Sequence, residues 1–149
     1  MPMNPITEIR SSRLREFVAY LESKRDGKNP LNRSDVDPII DIPRLASYTM
    51  LVERTANGRH RIRLVGTKAA AIIGRDYTGH WMDELGMGAV ADWFGEMEMV
   101  FATHEIVAGH IQLPWNERAH ITIEWVAQKF GPMAGMNDTT FIAFDRIET

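Results

Sequence analysis

The first strong pattern of apolar positions lies between residues 12 and 25. Four apolar residues recur there at intervals of three and four: Leu14, Phe17, Val18 and Leu21. This spacing places their side chains on one face of an α-helix. Gly27 and Pro30 follow and are typical of a helix end. The pattern predicts an amphipathic N-terminal helix, and the polar, turn-rich residues up to Pro38 predict a surface loop after it.

A β-hairpin is predicted from residues 48–54 and 60–65, two β-prone segments on either side of a short turn. Asn57 and Gly58 lie in that turn and supply the positive backbone angles that a tight hairpin needs. In the second strand Ile62 and Leu64 alternate with arginines. This alternation predicts one face toward a core and the other toward water or a partner.

The rest of the chain is predicted to form short helices, one longer helix and three further strands. Residues 67–73 read as an Ala-rich helix that Thr67 caps and Gly74 ends. A longer helix over 89–103 carries the apolar stripe Val90, Trp93, Phe94, Met97, Val100 and Phe101. Strands are predicted at 111–115, 119–127 and 139–147 from alternating apolar and polar residues. The order predicts an α+β domain with a five-stranded antiparallel sheet and short helices on one side.

Five stretches of the chain, taken in order, resemble the PAS domains, specifically a bacterial branch with a helix before the PAS core. They read YLESKRDG at 20–27, NRSDVDPIIDIPRL at 32–45, RIRLVGT at 61–67, GRDYTG at 74–79 and MDEL at 82–85. The resemblance implies a five-stranded antiparallel sheet wrapped by short helices around a central cavity. We therefore divide the chain into an N-terminal helix and linker, 1–31, and a PAS-like domain, 32–149.

The same resemblance implies a module that senses a small molecule or pairs with another protein. Apolar walls with adaptable Met and aromatic side chains suit small organic ligands. The residues predicted to line a ligand cavity are Leu64, Trp81, Phe94, Met97, Phe101, Ile123 and Trp125. A filled core built from the same side chains is the alternative, because a helix stripe that faces a sheet excludes water in either case.

The charge and cysteine content narrow the classes of partner and compartment. Seventeen Lys and Arg against twenty Asp and Glu give a net charge of −3, which predicts no attraction to nucleic acid or an anionic membrane. The chain has no cysteine, which suits a reducing compartment and excludes a cysteinyl flavin adduct. With no apolar run long enough to span a bilayer, we expect a cytoplasmic protein.

Five histidines are the candidates for metal or haem chemistry: His60, His80, His104, His110 and His120. Some PAS domains hold haem through a histidine on the long helix, and His104 lies near the predicted end of that helix. No two histidines have the i, i+4 spacing of a helical zinc site. We expect no cofactor, no metal site and no catalytic residue.

Two classes of function follow from this sequence. The first is a PAS-like regulatory module that signals through contacts with a separate effector protein. It is expected to be a homodimer in which Leu14, Phe17, Val18 and Leu21 form part of the interface. The second is a small α+β cone-type enzyme or carrier that acts on an apolar small molecule, for which a convergent polar pair would be required.

Overall fold

An antiparallel sheet forms the centre of the structure, a computed structural model that describes residues 3–4, 8–25, 36–84, 97–112, 122–131 and 138–147. Its strands are β1 (Met3–Asn4), β2 (Thr49–Arg54), β3 (His60–Val65), β4 (Val107–Gln112), β5 (Thr122–Phe130) and β6 (Asp138–Ile147). They lie in the order β1-β4-β5-β6-β2-β3. The predicted α+β fold with five antiparallel strands is confirmed, and β1 adds two residues beside β4.

Short helices connect and cover the strands. They are α1 (Ser12–Arg25), α2 (Pro38–Asp41), α3 (Pro43–Ala46) and α4 (Thr67–Ile73), with a 3-10 turn at Met82–Glu84. Residues 97–101 are also helical, and they belong to the longer helix predicted over 89–103. Within the described ranges, no helix combines the length and the apolar character that crossing a membrane requires.

The two faces of the sheet carry separate apolar cores. The inner core lies on the face that α4 and the helical segment 97–101 cover, and includes Met50, Ile62, Ile73, Met97, Trp125 and Phe144. The outer core lies on the opposite face beneath α1, and includes Phe17, Val126, Phe130, Phe141 and Ala143. The helix α1 therefore buries its stripe against the face opposite the one that α4 and the helical segment 97–101 cover.

The hairpin between β2 and β3 forms as predicted but contains a register shift. Gly58 has a positive φ of 80° in the turn. The strand pairing moves from Leu51↔Leu64 to Val52↔Ile62, so that β3 holds one residue more than β2 at this point. Such a bulge reverses the alternation of side chains. Ile62 faces the inner core, whereas Leu64 is 43% exposed, which corrects the prediction that both point inward.

The β3–α4 connection depends on a close backbone approach. Gly66, not Thr67, is the N-cap residue of α4, and no side chain bonds to the free amides there. A Cβ at Gly66 would lie 2.3 Å from the Ser47 carbonyl oxygen, so only glycine fits. Gly74 ends α4 in the left-handed conformation with φ 105°, as predicted.

The apolar stripe of the N-terminal helix is buried within its own chain. Leu14, Phe17, Val18 and Leu21 are all buried in the outer core against β5 and β6. These four side chains are therefore not exposed to a second copy, which corrects their assignment to a dimer interface. Homodimerisation stays a prediction, and the boundary between residues 31 and 32 lies outside the described residues.

Candidate ligand site

The inner core brings four of the seven predicted ligand-site residues together. Met97 and Phe101 come from the helical segment 97–101, while Ile123 and Trp125 project from the inner face of β5. All four are buried in one cluster. Phe94 lies outside the described residues. The arrangement matches the predicted stripe of a helix that faces alternate residues of a strand.

The other two predicted residues lie away from this cluster. Leu64 is exposed because of the bulge in β3. Trp81 is half-buried at the edge of the sheet, where its backbone forms an isolated antiparallel β-bridge with that of Arg61. The guanidinium carbon of Arg59 lies 4.1 Å from the centre of the Trp81 ring. The structure therefore gives Trp81 a stacking role beside arginine side chains at the protein surface.

Arg59 also holds the acidic residues of the 3-10 turn. It donates to the two Asp83 carboxylate oxygens at 2.9 and 2.8 Å, and to Glu84 at 3.0 Å. The hydrogen bonds from Arg59 lower the pKa of Asp83, because they stabilise its charged form. This exposed network fixes the turn against the β2–β3 hairpin.

Trp125 lies directly across from Gly109 on the neighbouring strand β4. A Cβ at Gly109 would lie 2.6 Å from the indole Cζ2, 2.8 Å from Cε2 and 3.0 Å from Nε1. The indole therefore covers the bare backbone of Gly109, and any larger residue there would displace it. Trp125 has no exposed surface, and its Nε1–H has no hydrogen-bond partner in the part of the chain that the structure describes.

His60 is a buried titratable group at another edge of the inner core. Its ring centroid lies 5.2 Å from that of Phe101, and its Nε2 lies 3.2 Å from Glu98 Oε1. Arg54 reaches the same carboxylate at 3.4 Å. Burial lowers the pKa of His60, and the nearby Glu98 carboxylate opposes this effect in part. The neutral imidazole is therefore favoured in the folded protein.

Stability is expected to decrease as the pH falls below the ordinary histidine pKa of about 6.5. His60 in the unfolded chain then binds a proton that it takes up only at lower pH in the folded protein. The free energy of unfolding therefore falls by at most about 1.4 kcal/mol for each pH unit. Urea unfolding between about pH 5 and 8 measures it. His60→Phe should remove this contribution, while the exposed His80→Asn should keep it. An unchanged slope in His60→Phe would contradict the assignment.

The metal hypothesis concerns all five histidines, and the haem hypothesis concerns His104. Among the described residues, no group of three or more His, Asp or Glu side chains is placed to hold a metal ion. His104 follows the helical segment 97–101, and its backbone carbonyl accepts a hydrogen bond of 2.8 Å from Gln128 Nε2. Binding of haem at His104 and the expected absence of a cofactor both stay predictions.

A buried carboxylate on the outer face anchors the start of α1. Glu124 is 1% exposed. Its oxygens accept hydrogen bonds from the backbone N–H of Arg10, at 2.9 and 3.1 Å, and of Ser11, at 2.7 Å. His110 Nε2 lies 3.3 Å away. The alternation of residues in the sequence predicts that Glu124 lies on the polar, solvent-facing side of β5. In the structure α1 covers that side, so Glu124 is buried and holds the start of α1.

The comparisons with known proteins agree with this architecture. A family model described as "PAS domain" matches residues 9–136. No curated protein and no solved structure matched the chain in the same comparisons. The chain belongs to the PAS domain family. The matched segment begins before α1 and extends beyond β5, so it contains the anchored helix and the inner-core residues up to β5, while β6 follows it.

Proposed function

We propose that this PAS domain senses a small, mainly apolar molecule in its inner core and passes the signal on through protein contacts. PAS domains are in general sensory or regulatory modules. The observation that carries the proposal is the buried cluster of Met97, Phe101, Ile123 and Trp125, in which the Trp125 N–H has no partner among the described residues. Binding sites for small molecules combine apolar walls with a few placed polar groups in this way.

The route of the signal is suggested by the alternation of side chains along β5. Ile123 and Trp125 face the inner core, whereas Glu124 between them holds the start of α1 on the opposite face. A ligand that moves the inner side chains shifts the same stretch of backbone that carries the anchor. We propose that α1 is the element whose position changes, and that a separate effector protein detects it.

Contact with that effector is supported by exposed apolar side chains. Ile39 and Ile40 are neighbours on α2 and are 57% and 76% exposed. Adjacent exposed isoleucines are uncommon on a surface that meets only water, and they favour protein contact. A docking module with a closed core is the second candidate function. Membership of the PAS family favours both of these over the cone-type enzyme or carrier.

Ligand-observed NMR on the full chain with small neutral aromatic compounds tests the proposal. We expect binding to the wild type and at least a tenfold weaker affinity in Ile123→Phe, because the larger side chain fills space beside Trp125. Ile39→Phe is the matched control at an exposed position and should bind as the wild type does. Absence of binding, or equal binding to wild type and Ile123→Phe, would favour the closed core.

A further inference from the structure

We propose that the ligand of the inner core is a neutral apolar molecule with a hydrogen-bond acceptor, such as a ketone oxygen, that accepts from Trp125 Nε1–H. This inference rests on the proposed function and names the chemical class of the ligand. It assigns Trp125 as the residue that selects this class. Three features support this assignment: the buried indole N–H, the absence of a side chain at Gly109 and the distribution of charge over the inner face.

The indole N–H is a donor that folding has removed from water. Trp125 has no exposed surface, and in the described part of the chain its Nε1 contacts no acceptor. Buried tryptophan N–H groups usually find a partner, because loss of the bond to water is otherwise uncompensated. A ligand acceptor supplies the bond that the described residues do not. Since the indole N–H can only donate, the complementary group must accept.

Gly109 determines where that donor lies. A side chain at Gly109 would occupy the place of the indole, with its Cβ 3.0 Å from Nε1 and closer still to two ring carbons. Because glycine is present, the Nε1 side of the ring lies over β4 without competition from a side chain at the directly opposed position. Glycine in a strand interior often marks a close approach of this kind.

The surroundings of Trp125 favour a neutral acceptor over an anion. Its cross-strand partner on the other side is Phe144, and its neighbours on the same face of β5 are Ile123 and Ala127, all in the inner core. The charged residues Arg54 and Glu98 meet His60 on the β2–β3 side of the sheet, with β6 between them and β5. A carboxylate beside Trp125 would thus be buried without a cationic partner from this group, which is unfavourable.

Acetophenone and ethylbenzene form a matched pair of probes, because they are similar in size and only acetophenone carries a carbonyl acceptor. We expect acetophenone to bind the full chain about threefold to tenfold more tightly, the range that one net hydrogen bond supplies. The proton signal of the Trp125 indole, identified by its absence in Trp125→Phe, should move downfield with acetophenone and stay in place with ethylbenzene. Trp125→Phe should bind both probes equally, and the control Trp81→Phe should retain the preference.

The outcomes separate this inference from the proposed function. Equal binding of the two probes to the wild type overturns the role of Trp125 but leaves a sensor of apolar molecules standing. A preference for acetophenone that persists in Trp125→Phe places the donor elsewhere and also overturns it. If neither probe binds, both proposals fail. If Trp125→Phe does not fold, the wild type is used instead, and Trp81→Phe identifies the indole signal of Trp81 by its absence. A downfield movement of another, buried indole signal with acetophenone then supports the proposal, and no such movement overturns it.

Discussion

Replacement of Phe17 by alanine is expected to lower the free energy of unfolding by about 3–5 kcal/mol, the usual cost of truncating a buried aromatic side chain. Phe17 is 1% exposed and lies in the outer core with Phe130 and Phe141. These side chains come from α1, β5 and β6, so the cavity left by the substitution lies between elements that are distant in sequence. Urea denaturation of the full chain measures the loss.

Glu22→Ala is the matched control, because Glu22 is exposed on the same helix. It should change stability by no more than about 0.5 kcal/mol. The loss of stability in Phe17→Ala relative to the wild type should also be the same at every protein concentration, since the stripe of α1 is buried within one chain. Similar small losses at both positions, or a loss that depends on protein concentration, would show that α1 docks on another copy.

Local signals explain why several elements could be predicted closely from the sequence. The spacing of apolar residues gives α1 its observed bounds, Ser12–Arg25, and the turn glycines bracket β3 and α4, which are observed at His60–Val65 and Thr67–Ile73. In each case the information lies within a few residues of the element. Strand β4 begins at Val107, four residues before the strand predicted at 111–115, because apolar alternation alone does not define where pairing with β5 begins. Residues 113–115 of that prediction lie outside the described residues.

Features that depend on distant parts of the chain were not predictable in the same way. The inward assignment of Leu64 failed because the bulge arises from the pairing of β3 with β2. The dimer interface assigned to α1 failed because the sequence does not show that α1 can return across its polar loop to cover β5 and β6. Both errors concern the face that a side chain occupies, which register and packing determine.

The residues of the candidate site also differ in whether the local sequence could predict them. Met97, Phe101, Ile123 and Trp125 were found because an apolar helix stripe and an alternating strand were expected to face each other. Gly109 was missed because it precedes the strand predicted at 111–115, so it could not be recognised as a glycine within a strand, which is a signal of close approach. Glu124 was missed for a stronger reason, because its sequence neighbours give it the pattern of a solvent-facing residue and only the position of α1 buries it.

The anchoring role of Glu124 predicts a large effect for its removal. Glu124→Ala should lower the free energy of unfolding by about 3–5 kcal/mol, because two hydrogen bonds to a charged acceptor are lost, each worth about 1.5–3 kcal/mol. The backbone N–H groups of Arg10 and Ser11 would lose their acceptor at the start of α1. Glu124→Gln should cost less, because its amide oxygen can still accept one of these bonds. Glu105→Ala removes an exposed salt bridge to Arg25 and should cost at most about 1 kcal/mol.

Amide hydrogen exchange distinguishes an anchor of α1 from a residue that stabilises the sheet in general. Ser11 caps the helix by accepting from the Leu14 N–H at 3.1 Å, and its hydroxyl donates to Asp145 at 2.6 Å. Loss of the hydrogen bonds from the backbone N–H groups of Arg10 and Ser11 to Glu124 disturbs both bonds of the Ser11 hydroxyl. Protection from hydrogen exchange should therefore fall first at the amides of α1. Exchange in β6 should accelerate only as far as the lower global stability requires. If α1 and β6 lose protection equally in Glu124→Gln, the carboxylate supports the whole fold, and the proposal that α1 is held by a separate local anchor is wrong.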